Sequence, residues 1–253
     1  MMNYNYSLSS AIYSLLKFSS PEFSTFLHDI GYEGNNKTYK LFTFALRFEH
    51  YTVDGNSLTL KSPLANLYLS SPLVDTFIQN FIMGTFEAQK LELTGSSSNV
   101  SFSIVQVESL SIPQFKEYMK FKLLSPLVLS TRKEINNEFK QYYLRPNDSD
   151  EINVILTNNL KNKYKSIFKQ DIDCDDVKLK WDDEYLKKHN RVTKKITINE
   201  NGKYPIDVVG IQAPFTLKGN PDLIKIGYEC GFGEKNSMGF GLADTDYTDY
   251  ADI

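Results

Sequence analysis

The stretch Gly227-Tyr228-Glu229-Cys230-Gly231-Phe232-Gly233-Glu234-Lys235-Asn236-Ser237-Met238-Gly239-Phe240-Gly241 holds five of the chain's 13 glycines within fifteen residues. Glycine gives up more backbone freedom on folding than any other residue, so a cluster of this kind is kept for geometry. Either the backbone enters positive φ repeatedly, or neighbouring atoms pack where a Cβ would collide. The two halves match: Gly-Phe-Gly, five residues, Gly-Phe-Gly. Phe232 and Phe240 can anchor both halves in a core while Lys235 and the N–H groups between them face outward. Consecutive outward N–H groups make an anion-binding concavity. A Walker loop would end in Gly-Lys-Ser/Thr, and a dinucleotide fingerprint would need a third glycine at position 236, where Asn stands. Two readings stay open: a cradle for a nucleic-acid backbone phosphate, or a hairpin whose glycines serve packing.

Outward from this stretch the second half reads as a β–α–β–β–α–β order. Pro221–Gly227 is a short helix. Ile206–Leu217, Lys194–Asn199 and Val177–Trp181 read as strands, Ser149–Lys169 and Lys133–Tyr143 as helices, and residues 121–130 as an extended run around Ser125-Pro126. Residues 111–119 look like a linker.

The first half repeats the plan. Leu8–Lys17 is helical, with Ile12, Leu15 and Leu16 on one face. Ser20-Pro21 caps and opens a second short helix that runs to Leu27 or His28. After a loop at Gly31–Asn36, Lys40–Phe48 is a strand, with a hairpin turn at Asp54-Gly55 into Ser57–Lys61. Residues 64–70 are extended, Pro72–Met83 is an amphipathic helix, and Phe86–Leu93 and Val100–Val107 are strands joined by Gly95-Ser96-Ser97-Ser98-Asn99. Only Met1–Tyr6 is available for an opening strand. The fold class expected is α+β: two tandem ferredoxin-like βαββαβ domains, 1–115 and 116–253, the first with a shortened opening strand.

Composition bounds the function. Hydrophobic residues make up 41% and charged residues 23% of the 253 positions, so a core is affordable. The net charge of −3 counts against nucleic acid, but lysines between Lys161 and Lys195 leave a local basic face open. Cys174 and Cys230 stand far apart and build neither a disulfide framework nor a zinc pattern, which fits a reducing cytoplasm. No apolar run reaches membrane-spanning length, and the expectation is a cytoplasmic protein with no membrane anchor, metal or cofactor.

Of the three histidines, His50 lies beside a hairpin turn and His189 in a basic loop, and both read as solvated. His28 ends a short helix and can project beyond it, where the helix dipole favours an imidazolium. If the first two helices fold as a hairpin, Tyr13, His28 and Lys40 converge. An acid, a base and a cation without a carboxylate cluster suit metal-free RNA cleavage by the substrate's own 2′-OH. A lone histidine at a helix end is also a common cap.

The chain resembles the CRISPR-associated repeat-processing endoribonucleases, the Cas-six family. The likeness rests on Lys225–Glu229 and the run Gly231–Gly241 at the end of the chain, on Ala11-Ile12-Tyr13, Ser20-Pro21, Phe26-Leu27-His28 and Lys40–Phe44 in order at the front, and on Leu124-Ser125-Pro126-Leu127 between them. The resemblance implies two tandem RRM-type domains and metal-independent cleavage of CRISPR repeat RNA to 2′,3′-cyclic phosphate and 5′-OH ends. It implies His28 as general acid/base, Tyr13 as a second proton-transfer or positioning group, and Lys40 as stabiliser of the scissile phosphate, with Lys37 as its rival because the loop before it is lengthened. Gly231, Gly233, Lys235, Asn236, Ser237, Gly239 and Gly241 would bind RNA. The partner would be repeat RNA or pre-crRNA. A homologue that binds CRISPR RNA without cutting it is the alternative, and a homodimer or a CRISPR effector complex is left open.

Overall fold

The computed structural model describes residues 3–55, 57–95, 99–135, 137–198 and 204–245. The first half begins with α1 (Asn5–Ser19), α2 (Pro21–Thr25) and a π-helical turn at Phe26–Ile30. Strands β1 (Tyr32–Gly34), β2 (Lys37–Tyr39), β3 (Thr43–Phe48), β4 (Tyr51–Asp54), β5 (Ser57–Leu60) and β6 (Ala65–Ser70) follow. A second π-helical turn (Val74–Ile78) leads into α3 (Gln79–Ala88), and β7 (Lys90–Thr94) and β8 (Asn99–Ser103) complete this half.

The strands pair as four antiparallel couples: β1 with β2, β3 with β6, β4 with β5, and β7 with β8. The hairpin expected at Asp54-Gly55 is there, but it joins β4 to β5, and β3 takes β6 as its partner. Leu8, Ile12, Leu15 and Leu16 of α1 are buried with Phe42, Phe44, Phe77, Leu91 and Leu93 in one core. Gly84 of α3 sits against the Leu15 backbone, where a Cβ would overlap the chain of α1.

In the second half β9 (Tyr118–Leu123), β10 (Ser130–Ile135) and β11 (Glu138–Tyr143) precede α4 (Ser149–Phe168). Then come β12 (Lys178–Trp181), α5 (Asp183–Lys188), β13 (Thr193–Ile198), β14 (Ile206–Ile211), β15 (Phe215–Lys218), α6 (Pro221–Cys230) and β16 (Ala243–Asp244). The main sheet has the order β12-β15-β9-β16, antiparallel throughout. The last strand thus lies beside the first, as the ferredoxin-like plan requires. Phe121, Phe215 and Phe232 meet at centroid distances of 5.1–5.3 Å beneath α4 and α6. Each such buried aromatic contributes about 1.5–3 kcal/mol.

Several expectations are corrected. Lys133–Tyr143 is not a helix but most of the β10–β11 hairpin, in register Arg132↔Gln141 and Glu134↔Phe139. Its Lys, Glu, Asn and Gln content reads as helical, but Asn137 adopts φ 61°, a left-handed turn that reverses the chain. Ile206–Leu217 is two strands that take different partners, β14 pairing with β13 and β15 with β12 and β9, with Gln212–Pro214 between them. Phe86 and Glu87 still belong to α3. α1 starts at Asn5, so the opening strand expected of Met1–Tyr6 has no counterpart among the described residues. Met1–Met2, Ser96–Ser98, Asn199 and the acidic tail from residue 246 lie outside those residues. No helix among them is long and apolar enough to cross a membrane.

Candidate active site

The front corner is built by the turn that ends the helical hairpin. Ser20 caps α2, its Oγ accepting the Phe23 N–H at 3.3 Å, and Pro21 opens the helix. The helix then widens into the π turn, a feature that recurs at functional sites. Leu27 is fully buried there, which turns His28 outward; its side chain is 66% exposed. Gly31, at φ 75°, ends the turn, and its N–H closes on the Phe26 carbonyl at 2.8 Å. A Cβ on Gly31 would stand 2.7 Å from the Tyr39 carbonyl oxygen and 3.1 Å from Cδ of Lys40. The bare glycine therefore lets the Lys40 stem pass, and Lys40 Nζ donates to the His28 carbonyl at 2.6 Å.

Tyr13, His28 and Lys40 are thus brought together. The Tyr13 ring stands edge-on to the imidazole, with centroids 5.2 Å apart and planes at 83°. Its other side rests on Phe42. Burial pushes the Tyr13 phenol well above its ordinary value. Burial also lowers the Lys40 amine, while the charge on Asp29 pulls the other way. Leu41 follows at φ 55°, strained for a branched side chain, and reaches into the core of the second half.

Asp29 is the residue that the sequence reading missed. Its Oδ1 lies 2.7 Å from His28 Nδ1. In the tautomer whose Nδ1–H donates to this carboxylate, Nε2 is the nitrogen left free to exchange a proton. The signal was present as a carboxylate adjacent in sequence, but only the widened turn points both side chains the same way.

Lys37 stands elsewhere. It pairs with Gly34 at the far end of the β1–β2 hairpin and lines a cavity formed with β10 and β11. His50 is exposed beside β4, as expected. His189 is half-buried and stacked on Tyr185 at 4.0 Å, its Nδ1 at 3.0 Å from the Tyr185 carbonyl, so it is packed rather than solvated.

The glycine segment has a different character from the outward concavity expected of it. Gly231, Gly233, Gly239 and Gly241 all have positive φ and all are buried. A Cβ on Gly233 would run into the Val128 carbonyl, and one on Gly241 into the Phe232 carbonyl. The packing reading thus has a basis in the close approach at each of these glycines. Asn236 is buttressed too: its Nδ2 donates to the Phe232 and Phe240 carbonyls. The centre is Lys163 of α4, a buried ammonium donating to the Gly231 and Gly233 carbonyls and to Asn236 Oδ1 at 2.7–2.8 Å. The segment also clasps the first half: Thr43 Oγ1 donates to Phe240 O, Asn5 Nδ2 to Met238 O and Ser9 Oγ to Ser237 O. Lys235, in the left-handed region and only half-buried, is the cation it presents at the surface.

Family models match in tandem: "CRISPR-associated protein Cas6, N-terminal" over residues 1–108 and "CRISPR associated protein Cas6, C-terminal" over residues 110–245. The chain is 35% identical over 244 residues to CRISPR-associated endoribonuclease Cas6 1 of Methanocaldococcus jannaschii, covering 95% of this chain and 85% of that one. It is 27% identical over 245 residues to CRISPR-associated endoribonuclease Cas6 of Pyrococcus furiosus, covering 95% and 81%. A solved structure titled "CRISPR associated protein Cas6" superposes with a TM-score of 0.70 at 32% identity, covering 96% of this chain and 92% of that one. The product of a Cas6-related gene from Pyrococcus furiosus superposes at 0.80 with 20% identity over 98% and 92%, a likeness of fold.

Proposed function

This chain belongs to the Cas6 family, and on that premise we propose that it is an endoribonuclease that cuts CRISPR repeat RNA without a metal ion. The names of its relatives as endoribonucleases support RNA cleavage. The observation that carries the mechanism is the exposed imidazole of His28, with Nδ1 on Asp29 and the Lys40 ammonium on its own carbonyl. The 2′-oxygen of the RNA attacks the adjacent phosphorus, and the bond to the 5′-oxygen breaks. The 2′-OH gives its proton to His28 Nε2, and the imidazolium so formed returns that proton to the departing 5′-oxygen, so that one imidazole serves first as general base and then as general acid. Lys40 offsets the charge that gathers on the phosphorane oxygens. Tyr13, with its phenol held neutral by burial, positions the imidazole edge-on and does not release a proton at neutral pH. Lys235 contacts the RNA backbone, and the glycines hold it there.

The test is incubation with a synthetic RNA copy of the repeat from the host's own CRISPR array, with and without EDTA, followed by mapping of the ends. The expected products carry a 2′,3′-cyclic phosphate and a 5′-OH, formed at the same rate in EDTA. Loss of cleavage in EDTA, or 3′-OH and 5′-phosphate ends, overturns the mechanism.

A further inference from the structure

The β10–β11 hairpin shows two faces in different states. On one, Lys133 Nζ lies 2.9 Å from Glu151 Oε1 and 4.2 Å from the Tyr142 ring centroid, and the Tyr142 hydroxyl bonds Asp148. That face is satisfied against α4. Ser130, Arg132, Phe139 and Gln141 share the other face, because Arg132 faces Gln141 and the positions two residues away along each strand point the same way. This second face lines a cavity of about 560 Å³ together with Lys37 of β2 and Glu234 of the glycine segment, a size typical of sites that hold small molecules.

The groups that converge there are not satisfied by the protein. Among the described residues, the side chains of Lys37 and Arg132 enter no ion pair or hydrogen bond. Phe139 is 73% exposed and, among the described residues, stacks on no other ring. Glu234 takes one hydrogen bond, from Ser130 Oγ to Oε2 at 2.8 Å, and has no cation within 4 Å among those residues. Gln141 Nε2 reaches the same Ser130 hydroxyl at 3.3 Å, which leaves its amide oxygen facing outward. Beside them the buried Tyr143 hydroxyl has no hydrogen-bond partner among the described residues. Two cations, an exposed aromatic ring and acceptor oxygens around one cavity are the complement of a nucleotide: phosphate, base face and base edge.

We propose that this cavity is a subsite for one nucleotide of the RNA strand, which takes its phosphate on Lys37 and Arg132 and its base edge on Glu234 and Gln141, with Phe139 carrying the neighbouring base. The proposal rests on the RNA-cleaving reading above. The orientation follows from charge, since a phosphate beside Glu234 would be repelled. A carboxylate accepts and cannot donate, so the base it takes presents an exocyclic amine, as guanine, cytosine and adenine do; uracil offers two carbonyls around a single N–H. Lys37 opens β2 and Lys40 follows its end, so the subsite lies on the element that leads into the Lys40 corner. It also gives Lys37 a task distinct from that of Lys40.

The test uses the full chain and a set of labelled repeat RNAs, each with a single position changed to uridine, read as Kd at fixed salt and as cleavage rate at saturating enzyme. Wild type should lose about tenfold in affinity at one position near the cut. Glu234→Gln should lose that discrimination while binding the unchanged repeat. Phe139→Ala should raise Kd about tenfold, as expected for a lost stack, and Phe139→Tyr should restore it. Phe139 is exposed, so a folding defect is not expected, and the unfolding midpoint checks this. If wild type binds and cuts the repeat but no uridine position separates it from Glu234→Gln, or Phe139→Ala binds as wild type does, the subsite is refuted and the cleavage reading stands. If wild type does not bind the repeat, both fall.

Discussion

The two ends of the chain meet in this molecule, and they are built in opposite ways. The front corner is exposed: His28 stands out of a widened helical turn and is tied by one carboxylate and one lysine. The glycines of the end segment are sealed: all four stand at positive φ, Gly233 and Gly241 against carbonyls, Gly231 against Thr43 and Asn236 and Gly239 against the Phe44 ring, with an ammonium inside. The proton transfer proposed for His28 requires it to reach solvent, so little surrounding structure can hold it. A segment that fixes the spacing of two halves must exclude solvent, so every atom around it is constrained. Mutations at the first should therefore change rate without changing stability, and mutations at the second should do the reverse.

The largest effect expected is on rate. His28→Ala should slow single-turnover cleavage by about 10²–10⁴-fold, the range for a lost general acid/base, with urea unfolding and RNA affinity unchanged. A variant that cuts at the wild-type rate would remove the catalytic half of the comparison. Next comes Gly233→Ala, whose new Cβ meets the Val128 carbonyl at a positive φ. Backbone strain and overpacking together should cost about 2–4 kcal/mol in urea unfolding. A variant as stable as wild type would mean that the clasp is looser than it is drawn.

Lys163→Met sharpens the same point through pH. It leaves three acceptors without their donor and should destabilise by about 1–3 kcal/mol at pH 7. Burial draws the Lys163 amine down to about 8 from the ordinary 10.5, with Cys230 and Glu234 as the ionisable neighbours that oppose the shift. The unfolded chain holds that proton up to 10.5, so between pH 8 and 10.5 it binds more protons than the folded chain. This group's contribution to wild-type stability therefore rises with pH across that window, by about 1.4 kcal/mol per unit. The Met variant should lack the rise; parallel curves for the two proteins would place the lysine's proton elsewhere. The smallest effect belongs to His50→Ala, an exposed turn position. Stability should stay within about 0.5 kcal/mol and cleavage should be unchanged.

Much of this architecture could be read before any coordinates. α4 and α6 follow from apolar spacing and from Asn220-Pro221, which caps and opens α6. The front trio was legible from residue order and resemblance, because a short helical hairpin leaves Tyr13 and His28 few other ways to face. Other elements were not legible. The β10–β11 hairpin carries helix-forming residues, and the groups its Lys133 and Tyr142 meet, Glu151 of α4 and Asp148 just before it, come later in the chain. Lys163 was one of many lysines in a solvated-looking run. Nothing local marks it as the buried one.

What the residue order determined alone was local: where the chain turns, which faces are apolar, and that five glycines in fifteen residues answer a geometric demand. Which demand they answer was decided only in three dimensions. Val128, the pair Thr43 and Phe44, and Lys163 come from three distant parts of the chain and close on the glycines together, and burial is a property of that convergence. Leu27 turned inward and His28 outward for the same reason, because the core claims the apolar side chain and leaves its neighbour to the solvent.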